Sequence, residues 1–457
     1  MAKTAVNAPQ VKNMTAGPPW RCILPFALPL MLGSAFQQVY ALTDTAVVGR
    51  VLGVTGLAAL GACDLLTWIM GASLQAYTEG FSIRMANCFG AGDRPWLHRT
   101  MATAALLTAS AALLLTVLLQ LAAPWLLRVM DVQPEIYPMA LMYLRIIYAG
   151  LPFVATYQYF FAILRALGNS RTPLRTMMLS SVVNIALDLL FVAVFHWGIG
   201  GAAIATILAQ ALAAAYSFFH ARKLLPDGSL LYLADAALAP SMLGLSLPMS
   251  GQIIISSVGG LVVQAVVNRY SVAFIAGYTA TYKLYGLVEM AAIAYGHAVT
   301  TYTSQNLGAR ELGRIRQGIG SAVKIALATA VLIAAAMIGF GQPLVGLFIS
   351  GAEQERAAAV QVGSRFLCVM SVGLPLLYTM HIAKACLQGL GRAVFATVNS
   401  FLELTARILV VLYLPAHFGA ASVFLAEPAA WLVGTTVLVC SAWHTLGHLA
   451  ADHSPAQ

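Results

Sequence analysis

Charged residues are scarce in this 457-residue chain, because Asp, Glu, Lys and Arg together make up only 9% of it. A soluble domain contains roughly 25% charged residues. Apolar residues make up 60% of the chain, which is more than a soluble fold can bury. The composition therefore excludes a water-soluble enzyme. The apolar residues form long continuous runs, not the alternating strands of a membrane barrel, so we predict an all-α polytopic membrane protein.

Other missing features narrow the function. The six cysteines are scattered, with no CxxC or Cys/His ligand spacing, so we expect no disulfide framework and no metal site. The HExxH, GxSxG and Walker-loop signatures are absent, so we expect neither an enzyme nor a cofactor. The polar segment 1–20 contains no apolar stretch of the kind found in signal peptides.

A transmembrane helix needs about 20 apolar residues, and the chain contains twelve such runs. We predict two six-helix lobes, 22–222 and 240–446, joined by a cytoplasmic linker over 223–239. Tails at 1–21 and 447–457 complete the chain. The predicted spans are 22–49, 57–88, 98–127, 136–163, 172–196, 200–222, 240–268, 274–305, 315–349, 357–388, 393–415 and 419–446.

Most of the 25 Lys and Arg residues lie in the N-terminal tail and in the loops after even-numbered spans. Because cytoplasmic loops carry an excess of Lys and Arg, we predict that both termini are cytoplasmic. The net charge of +9 is then explained by orientation in the cytoplasmic membrane, and we expect no nucleic-acid partner.

The two halves of the chain repeat each other. NCFGAGD (87–93) ends the second span and QNLGARE (305–311) ends the eighth. LRALGNS (164–170) similarly matches LQGLGRA (387–393). Since each half holds an even number of helices, we predict parallel repeats related by a pseudo-twofold axis along the membrane normal. Two-lobed transporters of this kind place their sites near the bilayer midplane.

An ionisable residue within a membrane span is a functional candidate, because its insertion is costly. Asp188 follows Asn184 by four residues in an otherwise apolar stretch, so both lie on one helix face. A carboxylate beside a carboxamide can hold a small cation or a proton. A protonated, hydrogen-bonded packing residue is the alternative interpretation of Asp188.

Asp44 is the second candidate acid. Tyr40 and Gln37 precede it on the same helix face, where they could line a substrate path. Pro29 lies earlier in the same span, and proline kinks a helix by removing a backbone hydrogen bond. A kinked helix that carries one buried acid could bend when the acid changes its protonation state.

Other charged residues could form pairs. Glu403 and Arg407 are spaced i, i+4, so they can pair along one helix. Asp64 and Lys283 occupy equivalent places in the two repeats and could form a latch between the lobes, a structural pair or no contact at all. Glu79 and Glu289 have no evident local partner, and Glu289 could form a second ion site.

The order of these motifs resembles the multidrug and toxic compound extrusion (MATE) transporters. The similar segments are LTDTAVVGRVLG (42–53), the QNLGA-type helix ends, YLRIIYAGLPF (143–153) and ILRALGNSRTP (163–173), within a resemblance that covers about 22–446. It implies a twelve-helix, two-lobed antiporter that expels cationic or amphipathic drugs in exchange for Na⁺ or H⁺.

The resemblance also implies a cation-coupling cluster in the N-terminal lobe, of a branch with an Asp/Asn/Asp site. The family's residues match Asp44, Asn184 and Asp188 here, with Tyr143 and Thr206 beside them and Pro29 as the bending proline. The chain departs from another branch, which places coupling acids on helices seven and ten. Spans seven and ten contain neither Asp nor Glu.

We therefore expect a cation-coupled efflux antiporter that acts as a monomer on small molecules within a lipid bilayer. The choice between H⁺ and Na⁺ stays open. One alternative is a lipid-linked oligosaccharide flippase of the same superfamily. Such a flippase needs a cationic cavity for a pyrophosphate, and few basic residues lie within the predicted spans. The others are a membrane-embedded enzyme, for which a nucleophile–base pair is missing, and a passive channel.

Overall fold

The computed structural model of the protein describes residues 11–224, 234–349 and 352–452. Twelve α-helices occupy most of these ranges, with short π-helical and 3₁₀ stretches between them. The α-helices are α1 Pro19–Ala91, α2 Arg94–Val129, α3 Tyr137–Ala149, α4 Leu151–Ala166, α5 Arg171–Asp188, α6 Gly198–Leu224, α7 Ala239–Val267, α8 Val272–Gly308, α9 Leu312–Gly346, α10 Glu353–Gly389, α11 Ala393–Phe418 and α12 Ala426–Asp452. The predicted all-α architecture is confirmed.

Helix α1 contains the first two predicted spans. Its 73 residues would extend about 110 Å at 1.5 Å per residue, several times the roughly 30 Å hydrocarbon core of a bilayer. The helix breaks at Gly53, which has φ 68° and ψ −158°. Only glycine adopts this backbone region readily, so the break separates the segments predicted as 22–49 and 57–88.

Helices α3 and α4 form one broken span, with 47° between their axes. Gly150 lies between them, and Pro152 occupies the first turn of α4, where its missing N–H leaves no bond unmade. Nine further helices in the described ranges are long and apolar enough to cross a bilayer. With α1 counted as two spans and the more polar α8 added, these helices account for the twelve predicted spans.

The chain divides into two compact units. Unit 1 holds residues 11–13 and Leu28–Ser250, and unit 2 holds Met14–Ala27 and the chain from Gly251 onward. Helix α1 therefore begins in unit 2 and continues in unit 1. Its start is fixed in unit 2 because Gln305 accepts the Met14 N–H at 2.9 Å. The predicted lobe boundaries stay predictions.

Parts of three predicted segments lie outside the described residues. These are 1–10 of the N-terminal tail, 225–233 of the linker and 453–457 of the C-terminal tail. The described end of the linker enters unit 1 as a 3₁₀ turn over Ala236–Leu238, where the Asp235 N–H donates to Thr103 Oγ1 at 2.9 Å.

Four glycines with positive φ mark the internal repeat in the backbone. Gly168 and Gly391 follow α4 and α10 with φ of 75° and 79°. Gly198, at the start of α6, and Gly419, before α12, have φ of 64° and 76°. The offset in numbering is 223 for the first pair and 221 for the second. The first repeat is thus two residues longer between these glycines. It contains the π-helix Leu189–Val194, whereas α11 continues as an α-helix to Phe418.

Candidate functional site

The two candidate acids of unit 1 lie next to each other. Asp44 of α1 is 8% exposed and Asp188, the last residue of α5, is fully buried. Their carboxyl groups are close enough to interact with each other. Among the described residues, no N–H or O–H group donates to Asp44 Oδ1 or to either oxygen of Asp188. Two ionised carboxylates repel each other at this distance, so the pair requires a shared proton or a small cation.

Asn184 adds a further oxygen to this pair from one turn earlier on α5. Its Nδ2 donates to Thr206 Oγ1 of α6 at 3.4 Å, which fixes the orientation of the carboxamide. Its Oδ1 is buried and accepts no hydrogen bond from the described part of the chain. Asp44, Asn184 and Asp188 together thus present four buried acceptor oxygens that receive no hydrogen bond from the described part of the chain. Oxygen atoms of this kind are ligands for hard cations.

The backbone changes its winding directly after Asp188. Leu189–Val194 form a π-helix, and π-helical segments occur frequently at functional sites. Before this region, hydrogen bonds join α5 to α6, with Thr176 Oγ1 at 3.3 Å from Ser217 Oγ and Asn184 Nδ2 at 3.4 Å from Thr206 Oγ1. The acid therefore lies where a rigid helix pair meets an irregular segment.

Two tyrosines accompany the acids. Tyr143 of α3 is 7% exposed and lies within electrostatic range of Asp44 and Tyr40. Tyr40 is half-buried and close to both acids. The packing of Val48 and Cys63 of α1 against Tyr143 holds α1 against α3, so these phenols stay beside the carboxyl groups.

Asp64 joins this cluster at its exposed edge, which the sequence analysis missed. Its side chain is exposed and lies within electrostatic range of Asp44 and Tyr143. Because a carboxylate against lipid is costly, we expect this exposed side chain to face water. The repeat offset drew attention to Lys283 instead, and that residue is an exposed side chain of unit 2. The predicted contact between Asp64 and Lys283 stays a prediction.

The remaining predicted residues of α1 lie along the helix from the acid pair. Gln37, Tyr40 and Asp44 share one helix face, and Gln37 is half-buried two turns before Asp44. Pro29 is half-buried four turns before Asp44, just after the point at which α1 passes from unit 2 into unit 1. Thr206 is half-buried on α6.

Unit 2 contains a buried triad of charges. Arg407 of α11 donates through Nε to Glu427 Oε2 of α12 at 3.0 Å, and its Nη2 lies 2.9 Å from the same oxygen. The second carboxylate, Glu403 Oε2, lies 3.8 Å from Nη2, and Glu403 Oε1 accepts a hydrogen bond from Asn399 Nδ2. Glu427 was not predicted as a partner, because it is distant in sequence.

Two acids that lack a local partner in the sequence have partners in the structure. Glu79 lies 3.7 Å from the Arg165 guanidinium of α4. Glu289 lies 3.8 Å from His381 Nε2 of α10. In both pairs the partner belongs to another helix that is far away along the chain, so helix spacing could not reveal it.

The long apolar helices define a multi-pass membrane protein, and buried charged groups within two repeated sets of helices are typical of a membrane transporter. The MatE family model matches residues 29–190 and again residues 248–414. The chain therefore belongs to the MatE family, whose members are membrane transporters and not enzymes.

Relatives extend over nearly the whole chain. The "Probable multidrug resistance protein YoeA" of Bacillus subtilis is 26% identical, and the match covers 92% of each chain. An "FAD transporter" of Shewanella oneidensis is 23% identical over 74% of this chain and 76% of that protein. A crystal structure of "MATE in the bent conformation" superposes with a TM-score of 0.88 at 21% identity, covering 96% of this chain and 98% of the other.

Proposed function

We propose that the protein is a secondary active multidrug efflux antiporter, in which the Asp44–Asp188 pair binds the coupling cation. The observation that carries this proposal is the carboxyl pair itself, which lies buried in unit 1 with no basic partner among the described residues. If these two positions had only a structural role, two neutral side chains joined by a hydrogen bond would suffice. Two facing acids instead form a site that gains or loses one positive charge.

The coupling ion is H⁺ or Na⁺. A proton shared between Asp44 and Asp188 would remove the repulsion between them. A sodium ion would take carboxylate oxygens together with Asn184 Oδ1, which accepts no other bond in the described ranges. Thr206 orients the carboxamide, and Tyr143 covers the acids on the side of α3.

Loading of the pair would change the preferred shape of α1. Pro29 interrupts the hydrogen bonding of this helix between its start in unit 2 and Asp44 in unit 1. We propose that α1 bends at Pro29 when the cation binds and that this bend expels the substrate outward. The coupling requires that cation and substrate bind the two shapes with different affinity.

The substrates are proposed to be cationic or amphipathic small molecules. Asp64 adds an exposed negative charge next to the acid pair, and Gln37 and Tyr40 add polar surface on the same helix as Asp44. The name of the YoeA relative supports multidrug resistance. The FAD transporter among the relatives adds FAD to the substrates that an assay must include.

The transporter is proposed to lie in the cytoplasmic membrane as a monomer, with both termini in the cytoplasm. The distribution of Lys and Arg among the loops supports this orientation. A single chain carries both repeats, so one copy holds a whole transport unit.

The test uses purified protein in liposomes loaded with a fluorescent cationic dye or with FAD. A Na⁺ gradient and a pH gradient are imposed separately, and protein-free liposomes with the same gradients are the control. Dye movement driven by one of the two gradients supports antiport and identifies the ion. Absence of movement with either gradient contradicts the proposal, and the next assay would then use a lipid-linked oligosaccharide.

A further inference from the structure

Two residues of the charged triad of unit 2, Arg407 and Glu427, occupy the positions of Asn184 and Thr206, which lie beside the acid pair of unit 1. The offset of 223 that relates Gly168 to Gly391 also relates Asn184 to Arg407, since both helices run from these turns without interruption. The offset of 221 that relates Gly198 to Gly419 relates Thr206 to Glu427. Arg407 and Glu427 thus stand in the second repeat where Asn184 and Thr206 stand in the first.

The contacts at these positions correspond as well. In unit 1, Asn184 Nδ2 of α5 donates to Thr206 Oγ1 of α6. In unit 2, Arg407 Nε of α11 donates to Glu427 Oε2 of α12. Equivalent positions thus join equivalent helices in the two repeats. The interaction is a neutral hydrogen bond in unit 1 and an ion pair in unit 2.

The guanidinium of Arg407 also lies close to α7, the first helix of the second repeat. A Cβ atom at Gly259 of α7 would lie 3.0 Å from Arg407 Nη1, so glycine at this position leaves room for the arginine. The repeat offset is 219 for Pro29 and Pro248. By the same offset, Gly259 is equivalent to Tyr40 and Val263 is equivalent to Asp44. The second repeat therefore has Val263 where the first has Asp44. Gly259, one turn earlier on α7, leaves space for the side chain of Arg407.

We propose that Arg407 is a tethered cation, which fills in unit 2 the place that an exchangeable cation takes in unit 1. Its guanidinium lies against two buried carboxylates, Glu403 and Glu427, with exposures of 7% and 3%. A charge held by a covalent bond cannot leave during a transport cycle. The inference rests on the proposed function of the Asp44–Asp188 pair, and it leaves no exchangeable cation at the equivalent position of unit 2.

Removal of the tethered charge should open a second site for a monovalent cation. In Arg407→Gln, the carboxylates Glu403 and Glu427 lose their shared counter-charge but stay buried, so they must take up H⁺ or Na⁺. Arg407→Lys is the matched control, because it keeps the charge. Both are made in an Asp188→Asn background, in which the site of unit 1 is disabled.

The experiment measures binding of radioactive Na⁺, and proton uptake after a pH jump, on purified protein in detergent. We expect Asp188→Asn and its Arg407→Lys derivative to bind no cation. The Arg407→Gln derivative should gain stoichiometric binding, which Glu427→Gln should remove again. Equal binding by the Gln and Lys derivatives would overturn the proposal. The comparison remains valid if Asp188→Asn itself still binds a cation, an outcome that would count against the proposed function alone.

A reciprocal variant tests the same inference if Arg407→Gln does not yield folded protein. Asn184→Arg places a guanidinium at the equivalent position of unit 1, where Asp44 and Asp188 can pair with it. We expect this variant to be monodisperse and to lose binding of Na⁺ and uptake of protons. Folded Asn184→Arg protein that binds cations as the wild type does would overturn the proposal.

Discussion

Glu79 and Arg165 form an ion pair inside unit 1, with 3.7 Å between Oε1 and Nη1. Arg165 is 2% exposed, and its guanidinium also lies over the Phe161 ring at 4.9 Å from the ring centroid. The pair joins the second half of α1 to the end of α4. Its burial makes it sensitive to the loss of one partner.

Replacement of Glu79 by Gln should destabilise the protein by about 3 kcal/mol, because it leaves a buried guanidinium without its counter-charge. The double variant Glu79→Gln with Arg165→Met should recover much of this loss. Thermal denaturation in detergent measures both. A single variant as stable as the wild type, or a double variant less stable than the single, would contradict a pair that acts through charge.

The break in α1 predicts opposite effects at two glycines. Gly53→Ala should cost about 1–3 kcal/mol, since alanine does not readily adopt φ 68° with ψ −158°. Gly61→Ala is the control, because it lies within the helix, also with open space around its Cβ, and should be neutral or stabilising by up to about 1 kcal/mol. Equal melting temperatures for both variants would argue against strain at Gly53.

Pro29→Ala should impair transport without impairing cation binding. A proline within a helix costs about 3 kcal/mol, so its removal favours a straight α1 and shifts the balance of two helix shapes by roughly 100-fold. Gradient-driven dye efflux and radioactive Na⁺ binding or proton uptake are compared. Pro25→Ala, one turn earlier, serves as the control. Efflux by Pro29→Ala at the rate of the wild type would exclude a hinge at this residue.

Asp64→Asn should slow transport by roughly tenfold at low salt, because it removes the exposed charge that attracts cations toward the buried pair. The number of cations bound per chain should not change. Asp131→Asn, at another exposed carboxylate, provides the matched control. The decrease in transport rate caused by Asp64→Asn should become smaller as ionic strength rises. A decrease that does not depend on salt would contradict electrostatic attraction.

Local patterns in the sequence predicted much of this fold. The apolar runs predicted the helices, and the i, i+4 spacing placed Asn184 and Asp188 on one face of α5. Gly168 and Gly391 lie in motifs visible in the sequence, although their positive φ values are visible only in the structure.

Contacts between distant segments could not be predicted in the same way. Helix spacing places Glu403 near Arg407, but the shorter contact of Arg407 is with Glu427, on the following helix. The partners of Glu79 and Glu289 likewise come from other helices, because packing and not periodicity brings them together. The break at Gly53 falls between the predicted spans 22–49 and 57–88, but its backbone conformation is visible only in the structure.

The most direct test of the account compares Asp44→Asn and Asp188→Asn with the wild type in dye-loaded liposomes. Each variant should lose gradient-driven efflux and keep gradient-independent exchange of dye across the membrane, because substrate contacts remain while the charge of the coupling site is gone. Size-exclusion profiles confirm that the variants are folded. Gradient-driven efflux at the rate of the wild type in both well-inserted variants would contradict a coupling role for the Asp44–Asp188 pair.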